Sequence, residues 1–277
     1  MMVVERKVVR EVEESKMKVK SLNYEKKKGK ASFMIEKTTP AFANLLRRAI
    51  IDRVPTLAME DIEFKENDSI LYDEIIAHRL GMIPLITDLK TYNFKEGCKC
   101  GGEGCARCSV ILSLKEKGPK IVYASDLKSK DTKVKPTFPE TPIVKLLKDQ
   151  KLELQATAIL GIGKDHIKWS PGTAWYHYNP KITVKNNVKL LDKFKDKYPK
   201  QIFTKGIIDV KKITECNLYD ACEGICDDLV KIEWDENNII FNIESWGQLD
   251  PKKIITTACE VIDSQLIEFA DLIKKLK

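Results

Sequence analysis

The C-terminal end of the chain carries the feature that most restricts its fold, a long helix with one apolar face. Asp250 followed by Pro251 is typical of a helix start, because Asp caps the first turn and Pro fits the first helical position. Apolar residues then recur every three or four positions, at Ile255, Ala258, Ile262, Leu266, Phe269 and Ile273. This seam is about 27 Å long at about 1.5 Å per residue. A seam of this size is too large to face water, so we expect a companion protein to cover it.

A second apolar face follows Thr39 and Pro40, which predict another helix start. Its members are Phe42, Leu45, Leu46, Ala49 and Ile50. The helix should end before Pro55, because the residue ahead of a proline avoids helical geometry. Paired arginines beside an apolar stripe are most often solvated, but they also suit the carboxylates of a partner. The predicted partner interface therefore combines the C-terminal seam with Phe42, Leu45, Leu46, Arg47 and Arg48.

Alternating apolar and polar residues predict strands over much of the remaining chain. The predicted strand segments are 17–25, 31–39, 59–68, 109–117, 120–128 and 151–163. Residues 71–80 predict a helix with Gly81 as its cap. The polar run 235–238 predicts the turn of a hairpin between 230–234 and 239–245. These elements place the chain in the α+β class.

Composition excludes several classes of protein. With 43% hydrophobic and 32% charged residues the chain can build a core, and 277 residues are enough for two domains or three small ones. A net charge of +7, on many charges of both signs, is not that of a polycation. No apolar run is long enough for a membrane helix, and the charged start lacks the apolar core of a signal peptide. We expect a soluble, cytoplasmic protein.

Four of the eight cysteines lie within eleven residues, with the spacing C-x-C-x4-C-x2-C. They are Cys98, Cys100, Cys105 and Cys108. Four thiolates complete a tetrahedral shell around Zn²⁺, and the glycines between them let the backbone turn tightly enough for the sulfurs to converge. No general base lies nearby, so the spacing predicts a structural zinc site. Iron–sulfur ligation and free thiols are the alternatives.

Three further cysteines, Cys216, Cys222 and Cys226, fit the ferredoxin spacing only in part. The second ligand position of that pattern falls on Tyr219, and no cysteine lies between Cys108 and Cys216 to replace it. Two interpretations stay open. The three thiols could hold an iron–sulfur cluster, or they could be buried in a ferredoxin-like module without one, which we favour.

No set of residues in the sequence assembles a nucleophile, a base and an oxyanion donor. Gly161 and Gly163 form a lone G-x-G without the third glycine of a dinucleotide site. His166 beside Trp169 is typical of a packed loop histidine rather than a ligand. We therefore predict no catalytic residues in this chain.

Several segments resemble the assembly subunits of RNA polymerase. They are residues 38–50, 54–61, 73–85, 158–169 and 244–247, together with the helix from Pro251. The family includes the D-type subunit of the archaeal polymerase, the third-largest subunit of eukaryotic polymerase II and the bacterial alpha subunit. The resemblance is strongest to the archaeal D-type members and runs from about residue 15 to the C-terminus.

The resemblance implies three parts. A discontinuous dimerisation domain would comprise residues 1–54 and 229–277, and an inserted mixed α/β domain would comprise 55–180 with a zinc loop at 97–109. A ferredoxin-like module would occupy 181–228. The family's zinc loop matches the four clustered cysteines, whereas Tyr219 departs from the family's iron–sulfur pattern.

The resemblance also implies a function. The chain would form a heterodimer with a small L-type subunit and so nucleate assembly of the large catalytic subunits, with further contacts to other small assembly subunits. Arg47 and Arg48 would face a large subunit, and DNA would be reached only through the complex. Two alternatives are a free-standing zinc module that binds nucleic acid and an iron–sulfur protein that uses Cys216–Cys226.

Overall fold

A computed structural model describes residues 17–216 and 218–276, and its fold is α+β. The strands are β1 (Lys18–Glu25), β2 (Lys30–Glu36), β3 (Thr56–Asn67), β4 (Ser109–Lys117), β5 (Lys120–Tyr123), β6 (Lys128–Ser129), β7 (Pro142–Leu146), β8 (Lys151–Gly161), β9 (Gly172–Val184), β10 (Phe203–Thr204), β11 (Ile207–Ile208) and β12 (Val230–Ser245). The helices are α1 (Pro40–Arg53), α2 (Asp73–Gly81), α3 (Val188–Phe194), α4 (Val210–Glu215) and α5 (Pro251–Lys274). Residues 1–16 and 277 of the predicted dimerisation domain, and residue 217 of the predicted ferredoxin-like module, lie outside the described residues.

Two compact units share the chain, and each is built from three separate segments. The first unit takes the described residues up to Ser21, then Phe33–Ala43 and Tyr176–Phe241. The second takes Leu22–Ser32, Asn44–Trp175 and the chain from Asn242 onward. The three-part division implied by the family resemblance stays a prediction.

The second unit is organised by an antiparallel sheet of order β3-β8-β4-β6. The strands β4 and β8 alternate as the sequence predicts, because one face is packed on the core and the other is mainly polar. Ile76 and Leu80 of α2 belong to the same buried cluster as the inward-facing strand residues. The helix α2 continues through Gly81 and ends at Met82 in right-handed geometry, so the expected cap at Gly81 is wrong.

The first unit contains aromatic stacking on β12 and a separate small core. Phe241 of β12 stacks on Phe33 and on Tyr176, with ring centroids 5.3 Å and 6.4 Å apart. The small core gathers short helices and turns from residues 191–230. Its buried members are Leu191, Tyr198, Ile202, Ile208, Ile213, Tyr219, Cys222, Leu229 and Val230.

The hairpin expected around residues 235–238 is wrong, because β12 is one continuous strand of 16 residues. The polar side chains find partners that let the strand continue. Asp235 accepts hydrogen bonds from the Asn237 amide (3.2 Å) and the Asn238 side chain (2.9 Å), and it pairs with Lys181 at 3.2 Å. The Asn237 carbonyl accepts a hydrogen bond from the Thr38 amide at 3.0 Å.

Both predicted helix starts are confirmed. The Thr39 hydroxyl accepts a hydrogen bond from the Phe42 amide at 3.3 Å, and the Asp250 carboxylate accepts one from the Lys252 amide at 2.9 Å. Pro251 occupies the first turn of α5. These caps satisfy amides that would otherwise lack partners at the helix ends.

Candidate metal centre and partner surface

Cys98, Cys100, Cys105 and Cys108 lie together as a group that could hold a metal ion. Their sulfurs all lie within 4.8 Å of one another. Three of the sulfur–sulfur distances are 3.5 Å (Cys98 to Cys105), 3.6 Å (Cys100 to Cys108) and 3.9 Å (Cys105 to Cys108). A tetrahedron with Zn–S bonds of about 2.3 Å has edges of about 3.8 Å. The four thiols could therefore bind a metal such as zinc with little movement.

The backbone around these thiols explains why they converge. A succession of tight turns closes the loop, with Gly101 donating to the Cys98 carbonyl at 3.0 Å and Cys108 donating to the Cys105 carbonyl at 2.9 Å. Three glycines in the loop have positive φ, a conformation that other residues rarely adopt. The strand β4 begins at Ser109, directly after the last cysteine, so the loop is anchored to the sheet.

The electrostatics of the four thiols favour a bound cation. The amide of Gly104, the Cys98 side chain and the amide of Gly102 hydrogen-bond the Cys100 sulfur and lower its pKa to about 6. Burial raises the pKa of Cys108 to about 12. Because burial raises the pKa of Cys108, the protein alone does not ionise this thiol at neutral pH. A divalent cation supplies the charge that stabilises four thiolates together.

The second cysteine cluster has a different arrangement. Cys216 is exposed, Cys222 is buried and Cys226 is half-buried. Within residues 17–216 and 218–276 they do not belong to any group of three or more potential metal ligands. Tyr219 stands where the ferredoxin pattern requires a ligand, and it lies in the small core. Its ring centroid is 5.7 Å from that of His177 and 5.9 Å from that of Trp234.

The predicted C-terminal seam is buried at its start and exposed at its end. Between Ile254 and Ile262 of α5, Ile254 and Ala258 are buried within the chain, and Ile255 and Ile262 are half-buried. From Leu266 onward the apolar residues are exposed. Four of them, Leu266, Phe269, Leu272 and Ile273, share one face of the helix, and Leu276 lies two residues beyond its end at Lys274. We call these five residues the α5 ridge.

The α5 ridge extends further than the sequence analysis placed it. Phe269 is 63% exposed and Leu276 is 74% exposed. Leu272 and Leu276, which the predicted seam omits, continue the spacing of three and four residues from Phe269. That spacing was the signal that could have identified them.

The predicted residues on α1 divide between the core and the surface. Leu46 is buried within the chain, Phe42 is half-buried, and Leu45 is 49% exposed. Arg47 hydrogen-bonds Asn44 through two nitrogens, at 2.9 Å and 3.1 Å, whereas Arg48 reaches Asp52 only at 3.8 Å. Leu46, like Ala258 on α5, therefore already contributes to the chain's own packing.

Gly161 and Gly163 are explained by close packing. A side chain at Gly161 would meet the Trp169 ring at 2.4 Å, and one at Gly163 would meet the Ile51 carbonyl at 2.0 Å. His166 caps a short turn by accepting the Lys168 amide at 3.1 Å. The sequence predicts neither a dinucleotide site nor a ligand at these positions, and each of the three residues has a packing or capping contact.

In the described part of the chain, no helix combines the length and the apolar character needed to cross a membrane.

Comparison with known proteins identifies similar chains along nearly the whole sequence. Residues 62–173 match a family model described as the RNA polymerase Rpb3/RpoA insert domain. A relative from Methanosarcina acetivorans, named DNA-directed RNA polymerase subunit Rpo3, is 38% identical over 257 residues, which are 89% of this chain and 95% of the relative. A protein of the same name from Methanopyrus kandleri is 35% identical over 86% of this chain and 89% of its own length. Another from Archaeoglobus fulgidus is 33% identical over 91% of this chain and 97% of its own length.

Proposed function

Because the chain belongs to the Rpo3 family of DNA-directed RNA polymerase subunits, we propose that it is a non-catalytic assembly subunit of that enzyme. In this proposal it corresponds to the archaeal D-type subunit and forms a heterodimer with a small L-type subunit. The heterodimer then nucleates assembly of the large catalytic subunits, and the chain reaches DNA only through the complex.

The observation that carries the proposal is the α5 ridge. Four large apolar side chains on one face of α5, together with Leu276 just beyond its end, are about half exposed or more. A contiguous apolar surface of this kind marks a protein interface in soluble proteins. Burying each of these side chains contributes about 1.5–3 kcal/mol before the cost of ordering the two partners.

The proposed partner is a small protein that offers an apolar helix face to the α5 ridge. Exposed Leu45 and half-buried Phe42 on α1 provide further apolar surface for an interface. Arg47 and Arg48 would meet carboxylates of a large subunit, since guanidinium groups form paired hydrogen bonds with carboxylates. In this arrangement the chain supplies binding surfaces and no reacting group.

The four clustered thiols would hold one structural Zn²⁺ in the proposed subunit. The short sulfur–sulfur distances and the need for a cation to ionise Cys108 support this assignment. When bound, the ion supplies folding energy to a loop that has little apolar material of its own. The loop would then form a rigid projection from β4 in the insert domain.

We propose that the region of Cys216, Cys222 and Cys226 is a ferredoxin-like module without an iron–sulfur cluster. Tyr219 supports this, because its ring is buried among apolar side chains where the pattern needs a sulfur. Metal analysis of the purified chain should find one zinc and no iron. Iron at three or four per chain, with visible absorbance, would contradict the proposal for this module.

Co-purification tests the subunit assignment. The tagged chain is co-expressed with the small L-type subunit of the same organism, and the ratio of the two chains is measured after purification. Replacing Leu266 and Phe269 together by alanine should reduce co-purification strongly, because the centre of the α5 ridge is lost. The matched control is Ser264→Ala, since the exposed Ser264 hydroxyl donates a hydrogen bond to the Glu260 carbonyl of the same helix and Ser264 is not part of the α5 ridge. Unchanged pairing in the double variant would exclude the ridge as the interface.

A further inference from the structure

Next to the turn between β1 and β2, the second unit has a groove of about 370 Å³. Three consecutive lysines, Lys26–Lys28, line it together with apolar side chains from distant parts of the sequence. Phe138 is 53% exposed and Ile86 is 43% exposed, and Leu249 is buried beneath them in the chain. The groove falls in the size range of pockets that hold a small ligand or a few side chains.

Hydrogen bonds hold the groove in one shape. The carbonyl of Gly29, which follows the lysine turn, accepts a bond from the Ser245 amide at 2.8 Å. On the apolar side, the Thr137 amide donates to the Pro84 carbonyl at 2.9 Å, and its hydroxyl donates to the Trp246 carbonyl at 3.2 Å. A binding surface that is already ordered loses less conformational entropy when a partner binds.

The positive charges of the groove are available to a ligand. Lys28 pairs with Glu25 at 2.7 Å, but the side chains of Lys26 and Lys27 have no ion pair or hydrogen bond with any described residue. Asp250 is the one acidic residue among those that line the groove, and its oxygens already accept bonds from Tyr24 and the Lys252 amide. Two cations without a partner among the described residues therefore lie beside an exposed apolar patch.

We propose that this groove binds an acidic segment of another protein. A large apolar side chain of that segment packs on Phe138 and Ile86, and its carboxylates pair with Lys26 and Lys27. A nucleic acid fits less well, because binding to phosphates needs an extended row of cations. This groove instead places a few lysines beside exposed apolar side chains. The proposal is independent of the α5 ridge, since none of the ridge residues lines the groove.

Photo-crosslinking in the assembled complex tests the proposal. The photoreactive residue p-benzoylphenylalanine replaces Phe138 in the full chain, which is purified with the partners it retains in the cell. The matched control carries the same residue at Tyr123, an exposed aromatic position outside the groove. We expect the Phe138 probe alone to crosslink to a segment of another protein, with an acidic sequence and at least one large apolar residue.

Other crosslinking results would overturn the proposal. These are a yield no higher than at Tyr123, a crosslink to a neutral or basic segment, a crosslink to nucleic acid, and a crosslink to this chain itself, including its residues 1–16. The crosslinked peptide is identified by mass spectrometry, so each outcome is distinguished by its sequence or its mass.

A pair of double variants tests the charges. Lys26→Glu with Lys27→Glu should reduce the crosslink yield at Phe138 about tenfold or more, because like charges across an interface repel. Lys26→Arg with Lys27→Arg should retain the yield. Both lysines are exposed, so thermal melting should be the same for both variants. Equal crosslink yields in the two double variants would overturn the proposal. Co-purification through the α5 ridge is measured on the same samples and reports separately on the proposed subunit assignment.

Discussion

The two cysteine clusters use the same side chain for different tasks. In Cys98–Cys108 the four sulfurs face one another within 4.8 Å, and tight glycine turns bring them together. In Cys216–Cys226 one thiol is exposed, one is buried in the small core and one is half-buried. Close spacing in sequence therefore predicts a metal site only where the backbone can turn all the thiols inward.

The difference lies in the residues between the cysteines. The first loop contains mainly glycine and charged residues, so little besides the sulfurs can fill its centre. The second contains Leu218, Tyr219 and Ile225, which all pack in or against the small core. Apolar side chains stabilise the second region by burial, whereas the first would depend on the proposed ion.

Loss of the proposed metal should destabilise the protein locally more than any of the substitutions that follow. Cys105→Ser should abolish stoichiometric zinc and unfold residues 97–109, because metal binding supplies on the order of 10 kcal/mol of folding energy to such loops. Metal content and amide hydrogen exchange measure the two effects. The control Cys216→Ser should change neither, since that thiol is exposed. Protection of the loop in a metal-free chain would show that its backbone is stable alone.

Tyr219 should be the next most sensitive position. Tyr219→Ala leaves a cavity between His177 and Trp234, and we expect the first unit to lose about 3–5 kcal/mol of stability. Tyr219→Phe keeps the ring and should have a much smaller effect. Hydrogen exchange of residues 188–230 measures both. If these residues were as well protected from hydrogen exchange in Tyr219→Ala as in the unmodified protein, the ring would not be part of the core.

Cys222→Ser should destabilise the first unit less than Tyr219→Ala does, and it should leave the metal content unchanged. A hydroxyl has a greater need for a hydrogen-bond partner than a thiol, so its burial should destabilise the first unit by about 1–3 kcal/mol. Cys222→Ala serves as the control that removes the sulfur without adding a buried polar group. Loss of a bound metal in either variant would indicate that Cys222 is a ligand.

Thiol alkylation of the unmodified protein should separate the clusters without any mutation. At pH 9 an ordinary thiol, with a pKa of about 8.5, is largely ionised. Burial raises the pKa of Cys222 and shields its sulfur from the reagent, so this thiol should react more slowly than exposed Cys216. The four clustered cysteines should react only after a chelator is added. Rapid labelling of Cys222 would place it at the surface.

Local pattern was sufficient to predict much of the fold and the candidate metal centre. Alternation identified β4 and β8 because each has one buried face. It placed the start of β3 three residues late, since Thr56–Met59 are buried in succession and do not alternate. Cysteine and glycine spacing identified the four thiols that converge. Both signals act between residues close in sequence.

The errors arose where distant contacts decide the structure. The run from Asp235 to Asn238 has the composition of a turn, but Lys181 and the Thr38 amide provide partners that keep it extended. Likewise, the spacing of apolar residues on α5 did not reveal that Ala258 is buried within the chain while Phe269 is exposed. A sequence pattern indicates that a face is apolar, but not which neighbour covers it.

The position of β12 has a consequence for synthesis of the protein. β12 lies beside β2 in its sheet, although about 200 residues separate the two strands along the chain. At roughly 5–20 residues per second, β2 leaves the ribosome roughly 10–40 seconds before its neighbour exists. During that interval an apolar strand edge stays open, and we expect nascent-chain chaperones, rather than intrinsic folding speed, to determine how much of the newly made chain becomes native.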